Sequence, residues 1–206
     1  MQYRTIALDG CDRFTEKRSV FIGYAKPVAT EQQAVDFINS IRQKHWDATH
    51  NCYAYVIREN QIRRYSDDGE PSGTAGVPML EVLMGEELWD VCVVATRYFG
   101  GTLLGTGGLV RAYSKTARIA IDSAQMVTYT LCSVGQIGCS YTAYGRVNAL
   151  VMQHGGMVDD TAFTDSVTLK ISIPPENIGA LNADISEATA GQSRFEAQNE
   201  RFVILG

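Results

Sequence analysis

The chain has 206 residues, a formal net charge of −5, 45% hydrophobic and 20% charged residues. That composition excludes disorder, collagen and coiled coil, and it provides enough apolar surface for a core in one or two domains. Apolar runs such as Val91 to Ala95 fall far short of the ~20 residues that span a bilayer, and no apolar h-region opens the chain, so neither a membrane span nor a secretory signal is expected.

The elements follow in chain order. Phe21 to Ala25 reads as a strand closed by Pro27. Thr30 and Gln33 form the pattern of a capping box, and Ala34, Ile38 and Ile41 give the apolar stripe of a helix running to about His45. Cys52 to Ile57 and Ile62 to Tyr65 are strands. Asp67 to Gly76 is a loop of Gly, Asp and Ser. Pro78 suits the first turn of a helix reaching Leu88. Val91 to Ala95 is apolar without interruption, the pattern of a strand buried on both faces. A second glycine-rich loop leads to a long helix from about Gly108 to Ser123.

Beyond Met126 the pattern changes. Strands are expected over Val127–Cys139, Met157–Phe163, Val167–Ile173 and Arg194–Leu205, and helices over Ala143–His154 and Glu176–Thr189. The order β-α-β-β-α-β is that of the ferredoxin-like split motif. The expected domains are therefore 1–125 and 126–206, in an α+β fold. Charge divides along the same line: 14 Lys+Arg against 15 Asp+Glu in the first part, and 4 against 8 in the second. An acidic chain is not a bulk nucleic-acid binder, so any anionic partner is expected on the first part. Five cysteines without a CxxC give neither a disulfide framework nor a zinc knuckle and suit a reducing cytoplasm.

Three places have the residue types for chemistry. The first is the loop Gly100 to Gly108, where Gly100, Gly101, Gly105, Gly107 and Gly108, with Thr106, lie between a buried strand and a helix. Such a loop either cradles an anion on the N–H groups of the helix start or uses glycine only to turn tightly. It matches neither Walker A nor G-x-G-x-x-G, since Val110 stands where a third glycine belongs. No acidic residue occurs between Asp90 and Asp122, a stretch that holds Arg97, Arg111, Lys115 and Arg118. The last three share one face of the helix, which is either a solvated face or an anion site.

The second place is the loop with Asp67, Asp68, Glu70, Ser72 and Thr74. Its carboxylates suit metal or acid–base work, and equally a turn held by Asx hydrogen bonds. We expect the two loops to lie side by side and line one cleft, because each follows a strand and opens a helix. The third place is His50 with Cys52, either a nucleophilic pair or a packed thiol beside a hydrogen-bonded imidazole. No metal site, cofactor or complete catalytic constellation is legible.

Three long segments resemble the signatures of the Impact/YigZ family in order and spacing: Asp47-Ala48-Thr49-His50-Asn51-Cys52, Tyr65 to Gly76, and Arg97 to Tyr113. One position departs from the family pattern, because Lys17-Arg18-Ser19 is followed by Val20 where a basic residue is usual. The resemblance implies a ribosomal protein S5 domain 2-like fold for the first domain. For the second it implies a small ferredoxin-like domain similar to those of elongation factor G. The family's eukaryotic members regulate translation under amino-acid starvation stress, so the resemblance further implies a translation-linked role. One function consistent with the sequence is a module that contacts RNA, the ribosome or a translation-factor complex through the basic stripe. The other function consistent with the sequence is an enzyme acting on a phosphorylated small molecule or nucleotide. For either, the residues expected to meet the anion are Arg97, the glycines and Thr106 of the second loop, Arg111 and Lys115. Fold analogy by itself establishes no activity.

Overall fold

A computed structural model describes residues 1–205. Tyr3–Val127 form one unit; the residues from Thr128 onward form another, which also takes in Met1 and Gln2. The first unit contains β1 (Gln2–Ile6), whose start belongs to the other unit, β2 (Gly10–Glu16), β3 (Ser19–Pro27), α1 (Glu31–Lys44), β4 (His50–Ile57), β5 (Ile62–Ser66), α2 (Gly76–Gly85), β6 (Val91–Tyr98) and α3 (Thr106–Asp122). Its main sheet has the order β2-β3-β6-β4-β5 and every pair is antiparallel.

β6 explains its own sequence. Cys92 and Val94 pack with Ile38 and Ile41 of α1 on one face, while Val91, Val93 and Ala95 pack with Met79 and Leu83 of α2 and Tyr113 and Ala117 of α3 on the other. Helices on both faces make this central antiparallel strand apolar from Val91 to Ala95. The α1 cap forms as its sequence requires: Thr30 Oγ1 accepts from the Gln33 N–H, and Gln33 Oε1 reaches back to the Ala29 N–H at 2.7 Å. α3 lies directly on the sheet backbone, because a Cβ at Gly23 would stand 2.5 Å from the Thr116 carbonyl oxygen.

Several boundaries differ from expectation. β1 and β2 were not legible: β2 is an edge strand with a mostly exposed, polar sequence and so has no apolar alternation. α2 stops at Gly85 instead of reaching Leu88, and Glu87 then takes a positive φ of 55°. α3 begins two residues earlier than read, at Thr106.

The second unit contains β7 (Met126–Cys139), whose first two residues belong to the first unit, α4 (Tyr141–Gln153), β8 (Met157–Phe163), β9 (Val167–Ile173), α5 (Ile178–Ala188) and β10 (Phe195–Val203). Its strands order as β10-β7-β9-β8, with antiparallel pairing between neighbours, which is the ferredoxin-like arrangement. Ile137, Leu169 and Ile171 of the sheet pack with Val147 and Leu150 of α4 and Leu181 and Ile185 of α5. The N-terminus adds to this unit, the Leu131 N–H donating to the Met1 carbonyl at 2.8 Å. The fold is α+β throughout. No helix among the described residues is long and apolar enough to cross a membrane.

Candidate functional site

The two strand–loop–helix connections of the first unit are built alike and finished differently. In the first, Asp67 organises the loop. Its Oδ1 accepts from the N–H groups of Ala75 and Gly76 at 3.0 and 2.8 Å, and its Oδ2 from Gly73 at 2.8 Å. A carboxylate of the chain itself thus fills the electropositive start of α2. Asp68, at φ 45°, receives Arg42 Nη2 at 2.8 Å and the Asn51 N–H at 2.7 Å. Glu70 is buried, accepting from Arg97 Nη1 at 2.5 Å and from the Tyr113 hydroxyl at 2.8 Å. The Thr74 hydroxyl donates to the Pro71 carbonyl, and Ser72 is exposed. All three carboxylates therefore hold the scaffold. Among the described residues, no group of three His, Cys, Asp or Glu is placed to hold a metal ion.

Arg97 requires a correction. Sequence reading grouped it with the exposed cations, but it is 4% exposed. It pairs with Glu70, donates to Ser19 Oγ at 3.3 Å and lies between the Phe21 and Phe99 rings, each 5.4 Å away. A central strand of a covered sheet leaves it no route to solvent, so the charge is neutralised internally. His50 and Cys52 form no nucleophilic pair. The Cys52 thiol is buried and donates to the Asp67 carbonyl at 3.0 Å, and burial pushes its pKa up, with Glu70, Asp68 and Asp67 adding to the rise against an opposing hydrogen bond to Tyr113. His50 Nδ1 donates to the Asp68 carbonyl at 2.8 Å.

The second loop has no internal anion. Gly105 caps α3 at φ 73° without a side-chain hydrogen bond, and no acidic residue occupies the first turn, where Thr106 and Gly107 are exposed. Gly101, at φ 79°, is exposed too. Gly100 packs on the tip of the β2–β3 hairpin; a Cβ there would stand 2.1 Å from the Arg18 carbonyl carbon. That tip is a two-residue turn, with Lys17 at φ 46° and Arg18 at φ 69° between the paired Glu16 and Ser19. Glycine or asparagine usually fills such a turn, which is why the sequence did not announce it.

Between hairpin and helix lies a cavity of about 230 Å³. Lys17, Arg111 and Lys115 bring three cations to it, Glu16 one carboxylate, and Phe14 and Leu104 apolar surface; Gly108 lines it from the loop. Lys115 Nζ stands 4.3 Å from the centre of the Phe14 ring. No residue of Asp67–Gly76 lines this cavity, so the two loops do not share it. They are tied instead through Glu70, which holds both Arg97, just before the second loop, and Tyr113, on the helix that loop opens. Arg118 leaves the basic stripe to pair with Glu86. Val20 pairs with Tyr98 in the sheet. Lys17, Phe14 and Glu16 were missed because only the hairpin turn brings them to the loop.

The comparisons agree with this layout. Residues 17–121 match the model of the Impact N-terminal domain, which covers both loops, the hairpin tip and nearly all of α3. The chain belongs to the IMPACT family. Residues 137–192 match a domain of unknown function, DUF1949. IMPACT family member YvyE of Bacillus subtilis is 39% identical over 192 residues, spanning 93% of this chain and 88% of that protein. IMPACT family member YigZ of Escherichia coli is 33% identical over 187 residues, spanning 89% and 92%. Protein IMPACT-A of Xenopus tropicalis is 31% identical over 141 residues, but these are 66% of this chain and only 42% of that protein. A solved structure titled as a hypothetical protein superposes with a TM-score of 0.60 at 31% identity, covering 97% of this chain and 98% of the other.

Proposed function

We propose that this protein is a translation-linked regulatory binding protein of the cytoplasm that docks RNA, on its own or within a ribosomal assembly, through Lys17, Arg111 and Lys115 and the Gly100–Gly108 loop. One observation supports this above the others. Of two similarly built helix starts, one is filled by Asp67, while the other is left without an internal anion and stands beside three cations in a chain of net charge −5. Arginine engages two phosphate oxygens at once and lysine acts as a point charge, so the set suits a phosphate backbone. The translation link comes from the family resemblance.

The carboxylates the sequence offers to an enzyme acting on a phosphorylated small molecule are those of the first loop. Asp67, Asp68 and Glu70 are each engaged by hydrogen bonds, which favours binding over catalysis. The test is a titration of wild type and the double variant Arg111→Glu/Lys115→Glu against RNA at several salt concentrations. The double variant should bind more weakly, with a salt slope flatter by about one unit per lost contact. Both side chains are exposed, so folding should survive. Unchanged affinity and slope in a folded variant would reject the reading.

A further inference from the structure

The cavity is amphipathic as well as basic. Its volume, about 230 Å³, is below the roughly 300–1,000 Å³ of a pocket that encloses a whole small ligand. Its floor includes the Phe14 ring, one face of which stacks on Phe21 with centroids 5.3 Å apart and planes 9° apart. Phe21 in turn meets Tyr113 edge-on, so the Phe14 ring is fixed in a rigid aromatic stack. The Lys115 ammonium stands over the ring, 4.3 Å from its centre, and the ring is partly exposed. Lys17 and Arg111 flank the same space.

We infer that this cavity captures one unpaired nucleobase of a single RNA strand, with Phe14 as the stacking surface and Lys17, Arg111 and Lys115 on the neighbouring phosphates. The inference rests on the RNA reading above and adds the state of the strand. A fixed aromatic ring in a small recess, with cations around it, is what a splayed-out base and its backbone require. The bases of an A-form duplex are stacked and paired, so none is available to enter. Lys115 must leave the ring, and the magnitudes permit it. An exposed cation–π contact is worth roughly 2- to 5-fold in binding, whereas base stacking on an aromatic side chain is worth roughly 5- to 150-fold. The displaced ammonium then lies beside the phosphates. Glu16, the one carboxylate of the lining, accepts hydrogen bonds and so favours bases that present an amino group.

The experiment compares a short single strand, a duplex of the same sequence and the free mononucleotide by fluorescence anisotropy at one salt concentration. Wild type and Phe14→Leu are used, the variant keeping apolar volume while losing the ring; its fold is checked by circular dichroism. The single strand should bind about 10-fold or more tighter than the duplex, and Phe14→Leu should weaken only the single strand, by about 5- to 10-fold. A strand carrying one fluorescent base analogue, titrated with wild type, gives an answer that needs no variant: its emission should change in step with binding. Equal affinity for strand and duplex, with Phe14→Leu silent and emission unchanged, overturns base capture and leaves the phosphate reading standing. A mononucleotide that binds more tightly than the strand also overturns it. Failure of both strand and duplex to bind rejects the RNA reading and this inference with it.

Discussion

The Glu70–Arg97 pair fixes how the two loops are held, and its removal has a calculable cost. Both side chains are about 5% exposed, and Glu70 Oε1 is shared by Arg97 Nη1 at 2.5 Å and the Tyr113 hydroxyl at 2.8 Å. Glu70→Ala leaves a guanidinium in the core with Ser19 as its remaining side-chain acceptor, and a buried tyrosine hydroxyl without its acceptor. Stranding one member of a buried ion pair costs about 3–5 kcal/mol. For a unit of this size that corresponds to a fall in Tm of roughly 10–20 °C. Replacing both members with apolar residues of similar volume, Glu70→Leu/Arg97→Met, removes the stranded charge and should recover most of the loss. Urea unfolding followed by tryptophan fluorescence suits the measurement, because Trp46 and Trp89, the only tryptophans, both lie in the first unit. A loss below about 1 kcal/mol for Glu70→Ala, or a double variant no more stable than the single, would refute the argument.

Two further outcomes can be checked on the same unit. Gly100→Ala drives a Cβ into the backbone of Arg18, so it should cost about 1–3 kcal/mol. It should also displace the hairpin tip; amide shifts at Lys17 and Arg18 that match wild type would contradict this. The surroundings of His45 favour its neutral form. Its Nε2 accepts from the Tyr24 hydroxyl at 2.7 Å, and its Nδ1 donates at 2.9 Å to the Tyr98 oxygen, whose own proton goes to Asp47. Burial lowers its pKa below 6.5, Lys44 adds to that, and Asp47 opposes it. The unfolded chain thus binds this proton more readily than the native one. The stability that neutral His45 provides is complete above pH 6.5 and is lost as pH falls towards the lowered native value. His45→Asn should show a smaller loss between pH 7.5 and 5.5 than wild type in urea titrations; an equal loss would exclude His45 as the source.

Much of this protein could be read from its sequence because local rules and global packing agree. The apolar run of β6, the cap at Thr30 and the stripe of α1 each state a burial pattern that the sheet and its helices then satisfy. The β8 and β9 boundaries fall where the turns around Thr164 and Pro174 require. Edge strand β2 could not be read this way, since a strand paired on one side and largely exposed has no periodicity to display.

For the site, the sequence by itself determined where charge and glycine concentrate: an acid-free stretch after Asp90, a glycine-rich helix start and a loop of three carboxylates. Only the tertiary structure decided which of these groups remain available. It turned Arg97 inward onto Glu70, gave Arg118 to Glu86, spent Asp67 on the start of α2, and brought Lys17 from a distant hairpin to stand with Arg111 and Lys115. The reason is physical. Residue type fixes what a side chain can bind, but whether it is free to bind depends on neighbours that are far along the chain, and on the cost of leaving a buried charge or a helix end without a partner.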